Sequence, residues 1–110
     1  MQVTFDATDA YALCTWWSEL LGYEMEDVTE RVQQVLDQGY VTEDEIERRD
    51  GKLFFAGVAT ARDPEGRGPR LYVQTVPEPK TAKNRVHLDL TVNQDDLDAE
   101  AAQVVARGGT

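Results

Sequence analysis

One cysteine, one histidine and no apolar run near the ~18 residues of a membrane span leave several protein classes out at once. Cys14 has no second cysteine to pair with, so a disulfide framework is excluded and a reducing compartment is expected. Neither a basic n-region nor an apolar h-region follows Met1 in QVTFDATD, so no secretory signal is visible and the expected location is cytoplasmic. Basic residues are also scarce, with 11 Lys and Arg against 21 Asp and Glu and a formal net charge of −10. A protein that tracks phosphates needs a basic stripe to displace counterions, so neither nucleic acid nor a membrane is an expected partner. What remains is a chain of 110 residues, long enough for one domain that buries roughly two thirds of its unfolded surface.

The few bases are not spread evenly. Arg62, Arg67, Arg70, Lys80, Lys83 and Arg85 form a positive island between acidic flanks. They either steer an anionic small molecule or lie solvated in loops. The acidic runs EMEDVTE and TEDEIE read as solvated faces and helix N-terminal charge, since the alternate-ligand pattern and central Gly of a calcium loop are missing.

Hydrophobic period divides the chain. QVTFDA alternates, with Val3, Phe5 and Ala7 on one face and Gln2, Thr4 and Asp6 on the other, as a half-buried strand requires. Thr8 or Asp9 then caps a helix whose apolar residues Leu13, Trp16, Trp17, Leu20 and Leu21 recur at helical spacing before Gly22. At least one of the paired tryptophans is core, and Cys14 lies beside the stripe as a semi-buried, inert thiol. A second helix is expected from the capping-box spacing of Asp27 and Glu30, with Val28, Val32, Val35 and Leu36 inward and Gly39 at its end. Asp50-Gly51 predicts a type I′ hairpin between IERR and the apolar run LFFAGVAT. DPEGRGP reads as a loop, RLYVQTV as a strand stopped by Pro77 and Pro79, and RVHLDLTV as a further strand. In that last strand Val86, Leu88, Leu90 and Val92 face one way and His87, Asp89 and Thr91 the other. A helix through Leu97, Ala101, Val104 and Val105 follows, ending at Gly108.

The two ends of this map repeat each other. QVTFDA with its helix and LGYE correspond to HLDLTV with its helix and RGGT, placing Gln2 over His87, Thr4 over Asp89 and Asp6 over Thr91. The chain thus reads as one complete module plus the opening strand and helix of another. The expectation is that either further chain or a partner supplies the remaining strands.

The strand, the helix with paired Trp and the LLGYE ending, and the segment LYVQTVPEPKTAKNRVHLDLTV together resemble the glyoxalase-like branch of the vicinal oxygen chelate superfamily. That superfamily includes glyoxalase I, bleomycin-resistance proteins and extradiol dioxygenases. VPEPK and KNRVHLDL are the more specific segments, and residues 26–50 are an inserted helix and hairpin. The resemblance implies an α+β fold of βαβββ modules, in which a curled mixed sheet surrounds a cavity and helices lie outside. It divides a single domain, residues 1–110, into a first module over 1–79 and the start of a second, truncated after its first strand and helix, over 85–110. It also implies metal-ligand positions at Gln2, Gln74 and His87, with a fourth on a strand this sequence lacks. Only His87 is a good ligand among them, because Gln offers a neutral carbonyl oxygen. The carboxylate base of glyoxalase chemistry has no matching Glu.

His87 is therefore either a metal ligand or general base, or a rim histidine hydrogen-bonded to Asp89 or Gln2. Asp6 and Asp89 form a carboxylate pair or serve as caps and solvated surface. The expected ligand-binding set is Gln2, Thr4, Tyr72, Gln74, His87 and Asp89, with no resident cofactor or, alternatively, a divalent metal on His87. The function expected is that of a small-molecule binding or sequestering protein, assembled as a homodimer. The alternatives are a metal-dependent lyase, isomerase or dioxygenase, and a non-catalytic interaction domain whose acidic insert meets a partner.

Overall fold

The computed structural model describes residues 1–110, which divide into two compact units, Met1–Pro79 and Lys80–Thr110. The first unit holds a mixed four-stranded sheet and a small two-stranded one. Strand β1 (Gln2–Ala7) runs parallel to β6 (Arg70–Thr75), which pairs antiparallel with β5 (Val58–Arg62), which pairs in turn with the short β2 (Glu24–Met25). With helix α1 (Ala10–Leu21) between β1 and β2, the order β1-β6-β5-β2 is the expected βαβββ module, and the α+β class holds.

Asp9 starts α1 by accepting the Ala12 N–H at 3.2 Å, and Gly22 ends it in the left-handed region at φ 72°. The helix lies flat on the sheet because its innermost residues, Ala10, Cys14 and Ser18, are small and spaced by four. Ala10 and Cys14 join Ala59, Ala61, Leu71 and Val73 in one buried cluster, against which Leu13, Trp17 and Leu21 of the helix and Val3 and Phe5 of β1 pack. Trp17 stacks on Phe5 with ring centroids 5.7 Å apart, and Trp16 meets Trp17 edge-on at 5.2 Å. Cys14 is thus not beside the stripe but at its centre, with no exposed surface.

The inserted segment builds its own small core. Helix α2 (Thr29–Asp37) turns Val32 onto Ile46 and Leu53, framed by Val28, Leu36, Val41 and Phe55. Its start differs from the capping box expected of Asp27 and Glu30. Asp27 instead accepts the Thr29 N–H at 3.0 Å, a local Asx turn, where a capping box would have used the Glu30 N–H. A true capping box forms further on, between Thr42 and Glu45, around a single 3₁₀ turn. Asp50 and Gly51, at φ 50° and 75°, make the expected hairpin between β3 (Ile46–Arg49) and β4 (Lys52–Phe55).

The apolar run after that turn is two strands, not one. Gly57, at φ 72°, breaks it so that β4 stays in the small sheet while β5 joins the large one. The break is held on both sides: the Gly57 N–H donates to Glu47 and its carbonyl accepts the Thr75 N–H at 2.8 Å.

The second unit contains a 3₁₀ turn (Gln94–Asp96) and helix α3 (Leu97–Ala106), which closes at Gly108 with φ 94°. The strand expected over 85–92 is absent. Residues 80–110 contain no strand with which it could form a ladder, and Val86, Leu88, Leu90 and Val92 are exposed.

Candidate functional site

The large sheet has two unlike faces. One is covered by α1, and the other carries Gln2, Thr4 and Asp6 from β1 beside Arg70, Tyr72 and Gln74 from β6. The parallel register sets these side by side as Gln2 with Arg70, Thr4 with Tyr72 and Asp6 with Gln74, and Thr60 of β5 continues the Tyr72 row. Alternation alone therefore assembles four of the six expected ligand-binding residues, Gln2, Thr4, Tyr72 and Gln74, on one open polar surface.

Two hydrogen-bonded groups order that surface. Gln74 Nε2 donates to Asp6 Oδ1 at 2.7 Å. Arg70 donates through Nη1 to Gln2 Oε1 at 2.7 Å, and through Nε and Nη2 to the Glu26 carboxylate at 2.5 and 3.3 Å. The Glu26 carboxylate raises the already high Arg70 pKa further, so the guanidinium is a permanent cation there. Glu26 is held in place by its own backbone, whose N–H donates to Thr60 O at 2.9 Å just beyond β2. Arg62 pairs with Glu24 at 3.5 Å on the same edge of the sheet. Glu26 belongs to a run that reads as solvated surface, and only the strand register reveals its role. Arg70 carried a visible signal, as a base of the positive island at the start of the expected strand RLYVQTV.

His87 and Asp89 lie in the second unit, on the exposed segment that forms no ladder, so the strand alternation expected to aim them does not apply. His87 lines an open hollow of about 390 Å³ with Ala82, Lys83, Asn84 and Arg85.

A helix-backed βαβββ sheet with one open polar face defines a glyoxalase-type module. The chain belongs to the glyoxalase-like domain family, whose model matches residues 2–110. No curated protein and no solved structure matches it significantly.

The divalent metal associated with this superfamily can be tested against the donors on the sheet. Gln2 spends its carbonyl oxygen on Arg70, which places a fixed positive charge where a second cation would have to sit. Gln74 is tied through its amide nitrogen to Asp6. No group of three or more His, Cys, Asp or Glu side chains converges anywhere in the structure. These residues do not fit a transition-metal centre, which takes anionic or imidazole donors.

Proposed function

We propose that the open face of the large sheet binds a small polar molecule and that the protein sequesters this ligand without chemical turnover. The observation that supports this reading most is the ordered polar surface itself. Gln2, Thr4, Tyr72 and Gln74 lie in register, with Gln2 and Gln74 held by Arg70 and Asp6, on a face that helix packing does not use. Gln2 and Gln74 are thus fixed before a ligand arrives, which lowers the ordering cost of binding. No side chain on the face is placed as a nucleophile with an adjacent base, so the reading is binding rather than catalysis. A resident metal forms no part of it.

His87 enters the proposal within its own unit, as a ring nitrogen presented to an anionic ligand beside Lys83 and Arg85. The homodimer and the cytoplasmic location are further parts of it. Val86 and Val105, 76% and 63% exposed, are apolar surface that a second copy would cover.

Protein-observed NMR with a library of small polar fragments tests the central claim. Shifts clustered on Gln2, Thr4, Tyr72 and Gln74 are the expected result, and binders that perturb only other surfaces would overturn it. Native mass spectrometry of the purified chain reads the dimer directly.

A further inference from the structure

The geometry points to a carboxylate as the group this open face recognises, with the free end of the Arg70 guanidinium as its receptor. The inference rests on the reading that the face binds small molecules and adds the ligand's chemical class. A guanidinium has five N–H groups in a planar fork. Arg70 commits three: Nε and one N–H of Nη2 to Glu26, and one N–H of Nη1 to Gln2. Two remain, one on each terminal nitrogen. Donors on the two terminal nitrogens of a guanidinium can meet the two oxygens of a carboxylate.

The partners of Arg70 fix the fork rather than consume it. Glu26 grips the Nε side and Gln2 holds Nη1, so the guanidinium is tied from both ends of the sheet's strand order while its side chain remains 43% exposed. A guanidinium held in this way loses little further freedom when an anion docks. The Arg70–Glu26 and Arg62–Glu24 pairs each cancel, and Asp6, a carboxylate on the same face, lies two rows along from Arg70 with Gln74 as its partner. Tyr72 and Thr4, one row along, offer hydroxyls and the Tyr72 ring for the remainder of the ligand. A fixed guanidinium selects planar oxyanions over neutral carbonyl compounds.

The test compares benzoate with its neutral isostere benzamide by protein-observed NMR, at matched concentrations and as members of a wider fragment set. The expected result is that benzoate shifts resonances of Arg70, Gln2 and Tyr72, and that benzamide does so at least about tenfold more weakly. Arg70→Lys keeps the charge but removes the fork, so benzoate affinity should fall about tenfold while the amide spectrum stays folded. Glu26→Gln keeps an amide oxygen to hold the Nε side but removes the neighbouring negative charge, and should tighten benzoate several-fold, an outcome a purely structural Arg70–Glu26 pair would not produce. Equal binding of benzoate and benzamide, or benzoate binding unchanged in Arg70→Lys, overturns the carboxylate assignment and leaves the small-molecule reading standing. Neutral fragments that bind the face while carboxylates do not would do the same. If no fragment of any class shifts the face, both readings fall.

Discussion

Arg49 Nη2 lies 3.2 Å from Asp9 Oδ2, which ties the inserted hairpin to the residue that caps α1. The same guanidinium sits 5.2 Å from the Tyr11 ring centroid and pairs through Nε with Glu47 at 2.8 Å. Asp9 thus has two jobs, accepting the Ala12 N–H and receiving Arg49, and both hold its carboxyl below the usual aspartate range, the backbone N–H most strongly. Both partners of the ion pair are more than a third exposed, so solvent screens it. Asp9→Ala should cost about 1 kcal/mol through the lost cap, and Arg49→Ala clearly less. A double-mutant cycle by urea denaturation should give a coupling smaller than the cost of Asp9→Ala. A larger coupling would mean that the pair, not the cap, anchors the insert.

The phenol of Tyr11 donates to Asp50 Oδ2 at 2.5 Å, and that bond, followed by burial, raises its pKa above the ordinary 10.0. The sign of the linkage follows from which state holds the proton longer. Above pH 10 the unfolded chain loses its tyrosine proton first while the folded protein retains it, so rising pH favours unfolding. The stability from this bond is complete below the ordinary pKa and disappears as pH rises through the folded value. Tyr11→Phe should therefore be less stable than the parent at pH 7, by about 1 kcal/mol. The gap between them should narrow steadily above pH 10. Urea midpoints for both proteins at pH 7 and pH 11 check this, and a constant gap would remove Asp50 as the cause.

Gly68 marks a tight approach rather than a turn conformation. A Cβ at Gly68 would overlap the Tyr23 hydroxyl oxygen, and the loop there is pinned by Asp63, which accepts the Gly68 N–H at 2.9 Å and the Arg67 N–H at 3.1 Å. Gly68→Ala should destabilise by about 1–2 kcal/mol, because either the Tyr23 ring or the pinned loop must move. Adding Tyr23→Phe removes the overlapping oxygen and should recover most of the loss. Thermal melts of the single and double variants decide it, and no recovery would place the strain in the backbone.

How far the sequence reveals this molecule depends on how local each signal is. The strand faces of β1 and β6 are legible because each is half-buried, and alternation then separates Gln2, Thr4, Tyr72 and Gln74 from Val3, Phe5, Leu71 and Val73. The hairpin at Asp50-Gly51 and the ends of α1 are equally local. The division of LFFAGVAT is not, since residues on both sides of Gly57 favour strands and only the pairing of the chain separates them. Alternation in RVHLDLTV states which residues would share a face, but a strand also needs a partner, which residues 80–110 lack. The Gln2–Arg70–Glu26 group depends on a register between residues 68 and 44 positions apart, which no window of sequence contains.

The commitments of Gln2 and Gln74 also predict how the sheet responds to metal. A divalent cation seeking the Gln2 carbonyl must displace Arg70 Nη1 from a 2.7 Å hydrogen bond and then lie next to its charge. At Gln74 it finds only a neutral amide whose nitrogen is bound to Asp6. Paramagnetic Ni²⁺ should therefore leave the side-chain amide resonances of Gln2 and Gln74 unbroadened at concentrations that broaden His87, the one imidazole in the chain. Arg70→Ala removes the cation and frees both the Gln2 oxygen and the Glu26 carboxylate. That variant should show Ni²⁺ broadening at Gln2. Broadening of Gln2 and Gln74 already in the parent protein would mean that the amides turn outward more readily than their hydrogen bonds allow, and the guanidinium would not be what keeps metal from the sheet.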